Sequence, residues 1–153
     1  MKKEDLLKVW EFIKNGKFGK VSGDGKIKYI KMLAKLSPIV KDYETYCNTI
    51  TEKLMSEHEN FHENFQEARA YEAYRTDNTL EKPKMSKKEY EAFAQVVVKY
   101  NKDVAAALDE EAEKEVDVKY DKLTPTEFGC FCDSNDFTGE QALMLADIMC
   151  DMD

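Results

Sequence analysis

The stretch Ser37-Pro-Ile-Val-Lys-Asp-Tyr-Glu-Thr-Tyr-Cys-Asn-Thr-Ile-Thr-Glu-Lys-Leu54 decides the fold. Serine can cap the orphan amides of a helix and proline at the first helical position forfeits no hydrogen bond, so Ser37-Pro38 predicts a helix start. Beyond it Tyr43, Cys47, Ile50, Leu54, Phe61, Phe65 and Ala68 recur at three- and four-residue steps, with one double step of seven from Leu54 to Phe61, which predicts one long helix over 38–75. At 1.5 Å per residue it would be about 55 Å long, more than a single small domain needs.

The C-terminal side supplies a partner for this helix. Residues 76–85 are polar and contain Pro83, which predicts a link. Ser86-Lys-Lys-Glu89 has the spacing of a capping box and opens a second predicted helix over 87–113, with Tyr90, Phe93, Val97, Tyr100, Val104 and Leu108 on one stripe. Two apolar stripes joined by a short link predict an antiparallel helical hairpin with partly coiled-coil-like packing.

The flanks predict shorter elements. Leu6, Val9, Trp10 and Ile13 mark a helix over 5–15, stopped by Asn15-Gly16. Residues 16–30 fit either a β-hairpin turning at Ser22-Gly23-Asp24-Gly25 or a loop followed by a helix from about Lys26 to Leu36. Val116-Asp-Val-Lys-Tyr120 alternates apolar and charged residues, as a short strand with one covered face would. Thr124-Pro125 starts a helical turn, and Thr138-Gly-Glu-Gln141 is a second capping box that opens a terminal helix over 139–152. Its inner face is Ala142, Leu145, Ala146 and Met149. Leu143, Met144 and Ile148 lie off that stripe and, with Met152, are the candidate partner-binding residues. The expected fold is a single mainly α domain over 1–153, α+β only through a minor β element of one or two short strands.

Composition narrows the function classes. Charged residues make up 35% of the 153, above the roughly 25% of an average globular protein, which suits long helices with solvated faces. The net charge of -8 repels phosphate backbones, so direct nucleic-acid binding is not expected and protein partners, or a second copy of the chain, are. Neither a signal peptide nor a membrane span is expected, and the predicted location is a cytoplasm. Cys47, Cys130, Cys132 and Cys150 lack the C-x-x-C spacing that favours zinc and are expected to be free thiols.

One motif could carry chemistry. His58-Glu59-Asn60-Phe61-His62 matches H-E-x-x-H, in which two histidines one helical turn apart bind zinc and the glutamate activates water. Under that reading His58 and His62 are ligands and Glu59 the base, and the third ligand would have to be a carboxylate such as Glu81 or Glu89. Against it, His-Glu-Asn-Phe is written twice over 58–65, and the histidines fall on the predicted hairpin seam. The favoured expectation is seam histidines, no catalytic residues, no cofactor and no metal. The glycines and lysines of 16–26 do not form a phosphate-binding loop either: five residues separate Gly19 from Gly25, and Ile27 follows Lys26.

Both ends of the chain carry a resemblance. Leu6-Leu7 with Trp10 and Ile13, Gly16-Lys17, Lys31-Met-Leu-Ala-Lys-Leu36, Pro38 and Val40-Lys-Asp-Tyr-Glu44, together with Val116-Asp-Val118, Leu123 and Thr138-Gly-Glu-Gln-Ala-Leu-Met-Leu-Ala-Asp-Ile-Met149, resemble a family of small phage-encoded proteins of unknown function from phages of low-GC bacteria. The resemblance implies a phage or prophage product that acts through protein contacts in the host cytoplasm, as a minor virion or assembly component. An acidic anti-defence inhibitor of a host nucleic-acid enzyme is the alternative, and a small zinc hydrolase the second alternative.

Overall fold

The structure is a computed structural model that describes residues 1–153. Six helices account for most of the chain: α1 (Lys3–Lys14), α2 (Gly23–Ser56), α3 (Phe61–Thr76), α4 (Lys87–Ala112), α5 (Pro125–Ser134) and α6 (Gly139–Met149). No sheet forms, and the extended pairing is confined to two isolated bridges. The fold is mainly α. Contacts gather into two compact units, one of Met1–Thr45 with Glu110–Asp153 and one of Tyr46–Asp109.

The first unit holds most of the buried apolar surface. Leu6, Val9, Trp10 and Ile13 of α1 meet Tyr29, Met32, Leu36 and Val40 of α2, Phe128 and Phe131 of α5, and Leu145 and Met149 of α6. Phe131 is at the centre, with ring centroids 5.3 Å from Tyr29 and 5.6 Å from Phe137. The Tyr29 hydroxyl donates to the Ile13 carbonyl, and burial pushes its pKa up to about 12.

Residues 16–30 do not form a β-hairpin; the loop-then-helix reading holds, with the helix beginning at Gly23. The start signal is Ser22, whose Oγ accepts from the Gly25 N–H at 3.2 Å. The loop finds its hydrogen bonds on α5 instead of on a second strand. The Asn135 side chain accepts from the Lys17 N–H at 2.9 Å and donates to the Lys17 carbonyl at 2.7 Å, while Ser134 Oγ accepts from the Lys20 N–H at 3.1 Å. Gly16 is required in this loop because a Cβ there would lie 2.5 Å from Phe131 Cζ and 2.9 Å from the Phe12 carbonyl oxygen. Gly16→Ala is expected to cost about 1–3 kcal/mol through overpacking, read as a lower midpoint in thermal unfolding.

Ser37-Pro38, expected as a helix start, lies inside α2. The bond that proline removes would have used the Ala34 carbonyl, and Ala34 is on the exposed side of the helix. The strand expected over 116–120 is absent. That segment is extended and tied down near its ends, by the Val116 N–H to the Met1 carbonyl at 2.8 Å and by the Leu123 N–H to the Met149 carbonyl at 2.7 Å, with no neighbouring strand between.

The second unit contains the hairpin, with a correction. The helix expected over 38–75 is broken: α2 ends at Ser56, and α3 begins after Asn60, which has φ 56° in the left-handed region that asparagine tolerates better than most residues. After the break the chain runs antiparallel to α4. Phe61 packs on Phe93 and Tyr100 at 5.5 and 5.0 Å, and ten residues on Tyr71 stacks on Tyr90 at 4.5 Å. Ser86 caps α4 by accepting from the Glu89 N–H at 3.1 Å.

Two partly covered glutamates are expected to make the first unit acid-sensitive. The Thr124 backbone N–H, with Lys28 beside it, holds Glu127 below its ordinary value of 4.5, and hydrogen bonds from Lys114 and Lys3 do the same for Glu111. A lowered folded pKa means the stabilisation is complete above the ordinary value of 4.5 and is lost as pH falls through the lowered folded values. Glu127→Gln and Glu111→Gln are therefore expected to flatten the loss of stability below pH 4.5, measured by denaturant midpoints across an acid series.

Candidate docking surface

The terminal helix is fixed at both ends. Thr138 Oγ1 accepts from the Gln141 N–H at 3.2 Å and the Gln141 side chain accepts from the Thr138 N–H at 3.0 Å, so the expected capping box is formed. At the other end Cys150 closes α6 and Asp151 donates to the Leu123 carbonyl at 2.9 Å, so the helix stops at Met149 instead of continuing to 152. Leu145, Ala146, Ile148 and Met149 are buried.

The outer side of α6 carries apolar side chains beside exposed Glu140 and Asp147. Leu143 is 69% exposed, Met144 36% and Met152, just beyond the helix, 67%. Ile148, the fourth candidate, is corrected: it is only 3% exposed, covered where α6 packs on α1. It contributes instead to the floor of a groove of about 360 Å³, formed by Met1, Asp5, Lys8 and Val9 with Met144 and Asp147. The rim carries both signs of charge, and Lys8 reaches Glu4 at 3.7 Å and Asp5 at 4.0 Å. Exposed apolar side chains beside a groove with a charged rim can seat an apolar side chain of another protein while the rim forms hydrogen bonds.

The histidine motif does not fit a zinc site. The zinc chemistry needs both histidines on one helix, whereas His58 is in the 57–60 turn and His62 is in the first turn of α3. No three His, Cys, Asp or Glu side chains converge so as to hold a metal ion, so Glu59, Glu81 and Glu89 do not complete a set. Nor do the histidines form the hairpin seam. His62 is exposed and His58 half-buried, and they flank Phe61 with ring centroids 6.3 and 6.1 Å away; Phe61 is the seam residue.

The four cysteines are unpaired. Burial pushes the Cys132 and Cys150 thiols up, away from the reactive thiolate. The second unit has a groove of about 200 Å³ between α3 and α4, lined by Phe65, Ala68, Tyr90, Phe93 and Val97, and a wider opening of about 520 Å³ at the 57–60 turn, lined by Met55, His58, Phe61 and His62. No helix is long and apolar enough to cross a membrane.

No family model matches the chain, and no curated protein and no solved structure matches it either.

Proposed function

We propose that this chain is a non-enzymatic phage or prophage protein, a minor virion or assembly component that works in the host cytoplasm by seating a protein partner on the outer side of α6. One observation supports the reading above all: Leu143 and Met144 of α6, with Met152 just beyond it, are left open to solvent while the other side of the helix is locked into the core. Flexible, polarizable methionines beside a rigid floor adapt to the shape of a partner, at the entropic cost of ordering their rotamers. The phage context rests on the sequence resemblance. The acidic-inhibitor alternative draws on residues 109–153, which hold fourteen acids against three lysines, but it ranks second because carboxylates occur in both units.

The test is co-purification of tagged protein from phage-producing cells, beside the double variant Leu143→Asp/Met144→Asp. Both positions are exposed, so the variant is expected to fold while losing about tenfold or more of its specific partner. The same wild-type protein is expected to carry no stoichiometric zinc and to behave unchanged as His62→Ala. Equal partner recovery from wild type and double variant, or zinc lost with the histidine, would overturn the reading.

A further inference from the structure

A second surface carries the opposite charge from the protein as a whole. Between Asn15 and Lys41 the chain contains seven lysines and one acid, Asp24, within a protein of net charge -8. Much of this segment is the first half of α2, which turns Tyr29, Met32, Leu36 and Val40 into the core. Its opposite face holds Ile27, Ile30, Lys31, Ala34 and Lys35 within an arc of roughly 140° at 100° per residue. Ile27 is 53% exposed and Ile30 51%, and the other three are exposed too.

The face borders a groove. Lys31, Ala34 and Lys35 line an opening of about 420 Å³ with Lys119, Tyr120 and Asp121 of the extended segment. Lys28, farther round the helix, is engaged by Glu127 at 3.0 Å, whereas Lys31, Lys35 and Lys119 have no carboxylate within ion-pair distance.

The chemistry of the face selects its occupant. A merely solvated helix face has no use for two adjacent isoleucines. A nucleic-acid backbone would use the lysines but leave the two isoleucines without a partner, and it would work against the overall negative field. A lipid surface calls for a broader apolar face than two isoleucines and an alanine. Isoleucines three residues apart, bordered by unpaired ammonium groups, complement a helix that carries apolar residues at three- and four-residue spacing with carboxylates beside them. We propose that this face of α2, with the Lys119–Asp121 groove, docks an acidic amphipathic helix of a partner protein. It shares no residue with the α6 groove and does not depend on the reading given for α6.

The full chain, methyl-labelled at isoleucine, is titrated by NMR with a ~20-residue helical peptide bearing leucines at that spacing and flanking glutamates. The Ile27 and Ile30 methyl signals are expected to shift. Lys31→Glu/Lys35→Glu and Ile27→Ser/Ile30→Ser are each expected to raise Kd about tenfold, and added salt to weaken binding further, while Leu143→Asp leaves it unchanged. All four α2 positions are exposed, so circular dichroism of these variants is expected to match wild type. Three results would overturn the proposal: no shift at either isoleucine, equal binding of the peptide with its leucines replaced by glutamine, or tighter binding of duplex DNA or phosphatidylglycerol vesicles than of the peptide.

Discussion

Phe131→Ala is expected to lower global stability by about 3–5 kcal/mol, the range for emptying a fully buried aromatic site. Phe131 has no exposed surface and touches the rings of Tyr29, Phe128 and Phe137, so several side chains would have to move together to refill the space. The ring also packs against Gly16, where even one added methyl group meets it. Phe131→Leu keeps most of the volume and is expected to cost about 1–1.5 kcal/mol. The only tryptophan, Trp10, belongs to the same core cluster, so its fluorescence during denaturant unfolding follows both variants directly. A loss below about 1 kcal/mol for the alanine variant would show that the core is not organised around this ring.

Phe61→Ala is the second large effect, expected at about 3 kcal/mol and located in the second unit. That unit has only four buried apolar residues, Phe61, Met85, Phe93 and Tyr100, against seventeen in the first, so the substitution removes the hub of a thin core. Amide hydrogen exchange is the suitable readout: protection across α3 and from Phe93 to Tyr100 in α4 is expected to fall sharply. His62→Ala, next to it on an exposed position, is expected to leave protection unchanged, and equal losses from the two variants would contradict the seam assigned to Phe61.

These contrasts show what could be read from residues alone. The Thr138–Gln141 capping box, the helix opened by Ser86, and the inward Leu145 and Met149 were legible because each depends on local chemistry or local spacing. The break after Ser56 was not. Glu57-His-Glu-Asn60 contains neither glycine nor proline, and Leu54 and Phe61, seven residues apart, keep the stripe in phase across it; the interruption rests on asparagine adopting a left-handed conformation. The 116–120 segment was half legible. Val116, Val118 and Tyr120 are indeed the more covered residues, in alternation with exposed Asp117 and Lys119, but alternation reports a covered face and says nothing about a neighbouring strand.

The same limit applies to the candidate site. The exposure of Leu143 and Met144 was legible because they lie off the stripe of the terminal helix, yet Ile148 shares that property and is buried, since the position of α1 is a tertiary fact. The loop held by Asn135 and Ser134 is a similar case, as its hydrogen-bond partners lie more than a hundred residues away in sequence. The basic face of α2 could have been noticed as a run of lysines, but its two isoleucines become informative only when they are seen to be exposed.

The central claim, that the outer side of α6 seats a protein, is tested most directly by a photo-reactive amino acid placed at Leu143 and, as a control, at exposed Glu81. In phage-producing cells the Leu143 probe is expected to join one defined protein, identified by mass spectrometry, and the Glu81 probe is expected not to do so. The same products from both positions, or none from Leu143 in cells that complete phage assembly, would contradict the account.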